Sequence, residues 1–221
     1  MLLDIDSQRD FFLPRGSCYS PKADCAAAEI RHLFRWAQAG NIPVLSTVLR
    51  LRRQDRGVLA PVPHCVEGTD GEKKLPGTAL PSRINLGLRN CTDLPRDIFR
   101  DYQQVIVERR NTDIFTHARL ERLITELPMT TFIICGAGLA RGIFQAAIGL
   151  RSRGFGIIVA SDAVLDLGDK FAETARTRME AKGVIFAKTS EIVAPKPVCR
   201  PVPFRTVARE PLEHTNSPLK K

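Results

Sequence analysis

Residues 131–163 read TFIICGAGLARGIFQAAIGLRSRGFGIIVASDA, and this stretch contains the pattern that predicts the fold. Two apolar runs rich in β-branched residues, TFIIC and GIIVA, have the length and composition of buried strands. Between them Ile143, Ala147 and Leu150 recur at helical spacing, and Gly154 follows as a stop signal. A strand, a helix and a second strand in this order are typical of a parallel sheet covered by helices.

The same alternation extends over most of the chain. Strands are predicted at residues 2–6, 42–49, 104–107, 131–135, 156–160 and 184–187. Helices are predicted at residues 21–39, 120–127, 143–153 and 169–182. We therefore predict an α/β fold with three αβα layers, in which a doubly wound, mostly parallel six-stranded sheet is Rossmann-like. Residues 50–100 carry many Pro, Gly and polar residues and are predicted to form long loops.

Length and composition indicate one folded domain and a tail. The chain has 221 residues, and we assign residues 1–194 to the domain. Residues 195–221 contain six prolines, six Lys or Arg and two Glu. Such a segment has little apolar surface to bury, so we predict a basic tail that is mobile or wraps the surface.

The overall charge and hydropathy exclude several classes of protein. The chain is 43% hydrophobic and 26% charged, and no apolar run reaches the roughly 18 residues of a membrane span. Its start lacks a secretory signal, and its six cysteines include no C-x-x-C pair, so we expect a cytoplasmic protein without membrane contact. The net charge is +9, but only residues 50–56 and the tail are densely basic, and we do not expect nucleic-acid binding.

Ligands of such sheets bind beyond the carboxyl ends of the strands, and two sequence patterns at these ends are typical of known kinds of site. The glycine-rich loop at 136–142, with Asp162 ending the next strand, could cradle a dinucleotide, but no second mononucleotide half follows. Asp4 and Asp6 could be the Asp-x-Asp of a haloacid-dehalogenase-type phosphatase. That chemistry needs Thr or Val two residues after the second Asp, and Gln8 stands there.

A third pattern fits the chain over residues 2–193. The motifs that carry it are LLDIDSQRDF at 2–11, GNIPVL at 40–45, HCVEGTDG at 64–71, a glycine at 136, RG at 153–154 and SDA at 161–163. In this order and spacing they resemble the isochorismatase-like (cysteine hydrolase) superfamily. The resemblance implies an α/β hydrolase whose site lies at the carboxyl ends of the strands.

The resemblance implies three catalytic positions, of which this chain keeps one. Relatives hydrolyse amides with an aspartate, a lysine and a cysteine nucleophile. Asp6 falls on the aspartate, whereas Arg109 stands at the lysine position and Gly142 at the cysteine position. Cys135 lies too early in its strand to replace the nucleophile, so we predict that the protein is not a cysteine-dependent amidase.

Isochorismatases that resemble the chain in this respect also carry glycine at the cysteine position and cleave an enol ether. In them the aspartic acid protonates the vinyl carbon, and water attacks the resulting oxocarbenium ion. We therefore predict catalytic roles for Asp6, as general acid, and for Arg109, which with one of Arg50, Arg52 or Arg53 would hold substrate carboxylates. Predicted substrate-binding residues are Gln8, Phe11, Ala137, Gly138 and Gly142.

Further expectations complete this picture. We expect no cofactor and no metal, because the Asp-x-His loop of the metal-dependent relatives is missing and His64 alone matches a ligand position. The substrate is expected to be small and anionic, and the protein to be a homo-oligomer. The resemblance also implies a cis peptide bond just after Gly136. The alternative to a cysteine-independent hydrolase is a catalytically silent protein that binds a small molecule or a protein partner.

Overall fold

A parallel sheet of seven strands forms the centre of the protein in a computed structural model that describes residues 1–55, 62–95 and 97–194. The strands are β1 (Leu2–Ile5), β2 (Val44–Leu49), β3 (Arg83–Asn85), β4 (Gln104–Arg109), β5 (Thr131–Ala137), β6 (Gly156–Leu165) and β7 (Ile185–Ala187). The helices are α1 (Arg9–Phe12), α2 (Lys22–Ala39), α3 (Ile98–Asp101), α4 (Ala118–Glu126), α5 (Phe144–Ser152), α6 (Ala172–Ala181) and α7 (Thr189–Val193), with a 3-10 turn at Ile114–Thr116 and a π-helical turn at Leu139–Ile143. The predicted tail at 195–221 and the end of the basic stretch at Arg56 lie outside the described residues.

The strand order places the first strand in the middle of the sheet. The order is β3-β4-β2-β1-β5-β6-β7, and every strand pair is parallel. The chain extends the sheet on one side of β1 with β2 to β4 and then returns to the other side with β5 to β7. The carboxyl ends of β1 and β5 therefore flank the point where the winding reverses, which is where ligands bind in such sheets.

The predicted fold class is confirmed, but the predicted strand count was wrong by one within the described residues. The additional strand, β3, pairs with β4 at the edge of the sheet, where Ile84 lies opposite Val105. It has only three residues, and both ends are exposed. A strand held by its neighbour's backbone needs no apolar run, and the sequence Arg-Ile-Asn therefore carries no strand pattern.

Helices cover both faces of the sheet, as predicted. On one face the apolar side of α2 is buried against the strands through Ala26, Ile30, Leu33, Phe34 and Ala37. The other face is covered by α4, α5 and α6, whose buried residues include Leu120, Ile124, Ala147, Leu150 and Met179. In the part of the chain that the structure describes, no helix has the length and apolar character needed to cross a membrane.

The backbone at the carboxyl end of β5 bends through glycines. Gly136 has a φ of +123° and Gly138 a φ of +82°, conformations that residues with a Cβ rarely adopt. The described residues contain no cis peptide bond, so the predicted cis bond after Gly136 was wrong. The two glycines make the bend between β5 and the π-helical turn with trans peptides.

Substitution of Gly136 should destabilise the fold by much more than the cost of a positive φ alone. A Cβ at this position would lie 1.8 Å from the carbonyl oxygen of Ile5 in the neighbouring strand. We expect Gly136→Ala to lower the free energy of unfolding by more than about 4 kcal/mol. Urea denaturation would measure the change.

Gly154 provides the matched control. Its φ of +88° is also left-handed, but no described atom lies within 4 Å of the position that a Cβ would take at this site. Gly154→Ala should therefore lose only about 1 kcal/mol, the cost of the backbone conformation. Equal losses for the two variants would contradict the close approach of β1 and β5.

Candidate active site

Asp6 lies directly after β1, at the carboxyl edge of the sheet. It has a φ of +52° and its side chain is completely buried. Both carboxylate oxygens accept hydrogen bonds. The Thr47 hydroxyl donates to Oδ1 at 2.8 Å, and Arg109 Nη2 donates to Oδ2 at 2.5 Å. Asp6 is thus held by partners from the ends of two other strands, β2 and β4.

Arg109 is the last residue of β4, and its side chain reaches across β2 to Asp6. The residue is 3% exposed, and its Nη1 donates to the carbonyl oxygen of Asn111. Its Nε has no hydrogen-bond partner among the described residues. Two charges in this position are stabilised by each other rather than by water.

The environment of the pair acts on both pKa values. Burial raises the pKa of Asp6 above its ordinary range, although the Arg109 charge and the Thr47 hydrogen bond act in the opposite direction. Burial also lowers the pKa of Arg109, and the charge of Asp6 opposes that change. Asp6 is consequently a carboxyl group that can exist protonated at a higher pH than an exposed aspartate.

Gly142, which stands at the third predicted catalytic position, lies beside the ion pair of Asp6 and Arg109. It lies in the π-helical turn after β5. A Cβ placed on it would be 3.7 Å from Asp6 Oδ2 and 3.7 Å from Arg109 Nη2, and 3.2 Å from Ile5 Cγ2. The structure therefore brings Asp6, Arg109 and Gly142 together, and the place of the missing side chain is in contact with an acid and a cation.

The predicted substrate-binding residues after β1 are both buried. Gln8 Nε2 donates to the carbonyl oxygens of Leu49 and Glu72, each at 2.7 Å, and its Oε1 accepts from the Leu49 amide. The polar atoms of Gln8 therefore connect the loop after β1 to β2 and to the 72–75 segment. Phe11 is completely buried, and its ring centroid lies 5.4 Å from that of His64.

The predicted residues after β5 form the other side of this edge. Ala137 is completely buried at the end of β5. Gly138 precedes the π-helical turn, and its amide donates to the carbonyl oxygen of Leu165 at 3.0 Å. The roles of Gln8, Phe11, Ala137 and Gly138 in substrate binding stay predictions.

Asp10 anchors the loops beside the site. Its Oδ2 accepts from the Cys65 amide at 2.6 Å and its Oδ1 from the Ser17 amide at 3.1 Å. Gly71 makes room for this carboxylate, because a Cβ there would lie 2.2 Å from it.

Arg50, the residue after β2, forms ion pairs with glutamates and does not contact Asp6. Arg50 was one of three arginines predicted to hold a substrate carboxylate. Its guanidinium pairs with three carboxylates, those of Glu67, Glu72 and Glu108, at 3.5, 3.3 and 2.8 Å. Arg52 and Arg53 are exposed. A substrate would have to compete with three acids for Arg50.

The residues present do not form the metal site of the metal-dependent relatives. His64 is buried, its Nδ1 lies 2.7 Å from the carbonyl oxygen of Val62, and its Nε2 has no described partner. Among residues 1–55, 62–95 and 97–194, no three His, Cys, Asp or Glu side chains are grouped closely enough to hold a metal ion. A single imidazole is not a stable site for a divalent ion.

Two thiols are buried in this part of the protein. Cys65 lies near the ion pair, and Cys135 lies in β5, the strand that leads to Gly142. Burial raises the pKa of Cys65 and of Cys135 well above the ordinary range, and the charge of Asp6 adds to the effect at Cys65. Both thiols are therefore protonated near neutral pH and are poor nucleophiles.

Sequence reasoning missed Thr47, Asn111 and His117, which surround the ion pair or lie near it. Thr47 had a detectable signal, because it is a polar residue inside an apolar strand and lies opposite Ile5. Asn111 contributes through its backbone carbonyl, which any residue type could supply. His117 precedes α4, and nothing in its sequence neighbourhood indicates that its ring is buried.

Removing one partner of the buried pair should be costly because the other charge is left buried. We expect Arg109→Met to lower the free energy of unfolding by about 3–5 kcal/mol. The double variant Asp6→Asn/Arg109→Met should lose less than the sum of the two single variants, with a coupling of roughly 1–3 kcal/mol. Denaturant unfolding of the four proteins measures this coupling.

The exposed pair Arg122–Glu126, with an N–O distance of 2.7 Å on α4, is the matched control. Because both of its side chains are well exposed, the same cycle should give almost no coupling there. Strictly additive losses at Asp6 and Arg109 would contradict a direct buried interaction.

Comparisons with known proteins concern the fold and one part of the sequence. Residues 89–191 match the family model described as the isochorismatase domain. This match includes Arg109 and Gly142 but begins after Asp6, whose place rests on the sequence motif and the fold. No curated protein sequence matches the chain.

Solved structures of the same fold cover most of the chain. N-carbamoylsarcosine amidase from Thermoplasma acidophilum is 17% identical, with a TM-score of 0.64 over 85% of this chain and 95% of the other. Nicotinamidase/pyrazinamidase from Bacillus subtilis is 18% identical, with a TM-score of 0.66 over 85% and 98%. An isochorismatase family protein from Desulfovibrio vulgaris is 20% identical, with a TM-score of 0.64 over 86% and 94%. At these identities the similarity concerns the fold. The family model and the fold together support the predicted resemblance: the chain has an isochorismatase-like α/β fold, and its residues 89–191 are similar to the isochorismatase domain.

Proposed function

We propose that the protein is a cysteine-independent hydrolase that cleaves a small carboxylated enol ether, with Asp6 as the proton donor. The observation that carries the proposal is the meeting of Asp6, Arg109 and Gly142 at the carboxyl edge of the sheet. A Cβ at Gly142 would lie 3.7 Å from both charged groups and 3.2 Å from Ile5 Cγ2, so a substrate atom would reach the pair there once Ile5 shifts by a few tenths of an ångström.

The proposal requires no thiol, and the two buried thiols of the described residues are not suited to the reaction. Glycine has no nucleophilic group, and the buried thiols Cys65 and Cys135 have raised pKa values. Amide hydrolysis through a thioester needs a thiolate beside the acid. Hydrolysis of an enol ether needs a protonated carboxyl group, a cation and water instead.

Asp6 is suited to the proton transfer because burial raises its pKa. A substrate carboxylate that binds Arg109 would compete with Asp6 for the guanidinium. Asp6 would then lose part of the charge that stabilises its anion, and its pKa would rise further. Binding of an anionic substrate therefore favours the protonated acid.

The step balances without a cofactor. The Asp6 proton moves to the vinyl carbon, and positive charge develops on the ether carbon and oxygen. Water adds to that carbon and one water proton returns to the Asp6 carboxylate, which gives a hemiketal. The remaining hydroxyl proton passes to the ether oxygen as the carbon–oxygen bond breaks, so that the alcohol leaves and a carbonyl group forms on the carbon. Arg109 holds the substrate carboxylate throughout, since a guanidinium stays protonated and cannot relay a proton.

The proposal also covers the substrate class, the cellular compartment and the oligomeric state. The substrate class is a small anion, in keeping with Arg109 at the site. We further propose that the protein acts in the cytoplasm as a homo-oligomer. Support for a reducing compartment comes from the five cysteines of the described residues, all of which are free.

A second candidate function is binding without turnover. The observation that favours it is the complete burial of Asp6, both of whose oxygens already accept hydrogen bonds. If the ion pair never opens, the site cannot donate a proton, and the domain would serve to bind a small molecule or a protein.

Turnover of isochorismate beside a panel of small amides separates these functions. We expect the wild-type protein to release product from the enol ether and from none of the amides. Asp6→Asn should reduce kcat/KM by at least about a hundredfold, because general acid catalysis contributes roughly 10²–10⁴-fold. Asp101→Asn, a change at an exposed aspartate in α3, should leave turnover intact.

A second variant tests whether the substrate binds next to Gly142. The backbone of Gly142 is compatible with a side chain, and a Cβ would require Ile5 to shift by a few tenths of an ångström. Gly142→Ala should therefore fold normally but lose turnover. No enol-ether turnover by the folded wild-type protein would favour the binding function, and turnover that survives Asp6→Asn would contradict the role of Asp6.

A further inference from the structure

A polar cavity lies beside Arg109, the residue proposed to hold the substrate carboxylate. It has a volume of about 200 Å³, and its lining includes Leu88, Arg109, Arg110 and His117. Asp6, Gly142 and the other predicted substrate-binding residues are not part of this lining. The cavity follows β4 and adjoins the start of α4.

His117 is the first sign that the cavity accepts a ligand. The residue is only 4% exposed, and neither Nδ1 nor Nε2 has a hydrogen-bond partner among the described residues. It precedes α4 without making a side-chain hydrogen bond to cap the helix. A buried ring with both nitrogens unpaired costs stability unless a ligand or water satisfies it, so packing alone does not explain a histidine here.

Arg109, which also lines this cavity, carries a further buried donor without a described partner. Its Nη2 binds Asp6 and its Nη1 binds Asn111, but its Nε–H has no described partner. Buried guanidinium donors are normally satisfied, because each loses its hydration on burial. The cavity is thus lined by two residues whose buried polar atoms lack partners.

The charge of the lining indicates which ligand would satisfy these atoms. Arg109 and Arg110 contribute two cations, and the lining contains no acid among the described residues. Arg110 is partly compensated by Glu67 at 3.3 Å. Burial and the charges of Arg119 and Arg109 lower the pKa of His117, so the ring is neutral near pH 7 and supplies one N–H donor.

We propose that this cavity binds a small carboxylate. Its two oxygens match the two available donors, Arg109 Nε–H and one ring N–H of His117, and Leu88 offers apolar contact to the carbon atoms. A phosphate would bring four oxygens and up to two charges to these two buried donors. The inference concerns binding alone and does not rest on the proposed function.

Calorimetric titration of the whole protein with acetate, lactate and malonate, at constant ionic strength in chloride, tests the inference. We expect saturable binding of at least one carboxylate, and a shift of the His117 ring signals in the NMR spectrum at the same concentrations. Methylammonium chloride should produce neither effect. His117→Leu should weaken binding about tenfold or more, since it removes a hydrogen bond to a charged group.

Stability distinguishes a ligand-binding histidine from a structural one. Because the His117 nitrogens lack partners, His117→Leu should leave Tm unchanged or raise it, whereas loss of a structural histidine would lower it. His32→Leu, a change at an exposed histidine on α2, is the matched control and should keep the binding.

A second variant keeps the test decisive if His117→Leu does not fold. Leu88→Phe fills the cavity from a half-buried position and should abolish carboxylate binding. The inference is overturned if folded wild-type protein binds no carboxylate, if it binds inorganic phosphate but no carboxylate, or if binding persists in the folded cavity variants.

Discussion

The buried ion pair between Asp6 and Arg109 is the interaction on which the site depends. Two charges removed from water are tolerated only when they are paired and their remaining polar atoms are bonded. Thr47 and the Asn111 carbonyl supply most of those bonds, and Arg109 Nε is left over. Burial raises the pKa of Asp6 against the charge of Arg109, and the same burial leaves Arg109 Nε as a donor without a described partner.

The topology of the sheet makes this pair possible. Because β1 lies at the centre and every pair of strands is parallel, the ends of β1, β4 and β5 meet at one edge. Arg109 must reach past β2 to Asp6, which its length allows, and Thr47 lies between them with a hydroxyl for the acid. Gly136 permits the close approach of β5 that brings Gly142 against both charges.

Much of this arrangement could be predicted from local patterns. The apolar runs predicted six of the strands, and the motif around Asp6 predicted a carboxylate at the carboxyl edge of the sheet, where Asp6 lies. β3 could not be predicted, because its pairing with β4 is a tertiary effect that leaves no apolar run. The burial of His117 and the ion pairs of Arg50 with three carboxylates could not be predicted either. Both arise from contacts between segments that are distant in sequence. The cis peptide bond implied by the family resemblance is replaced by glycines with positive φ.

The central claim is that burial, against the opposing charge of Arg109, prepares Asp6 to carry a proton. A ¹³C NMR titration of the Asp6 carboxyl group, assigned with Asp6→Asn, tests it most directly. The account predicts a pKa above 3.8, the ordinary value of an aspartate. The folded protein would then bind more protons than the unfolded chain between that value and the raised pKa, and its stability would fall as the pH rises through this window. A pKa at or below 3.8 would mean that Arg109 dominates over burial, and would contradict the role of Asp6 as a general acid.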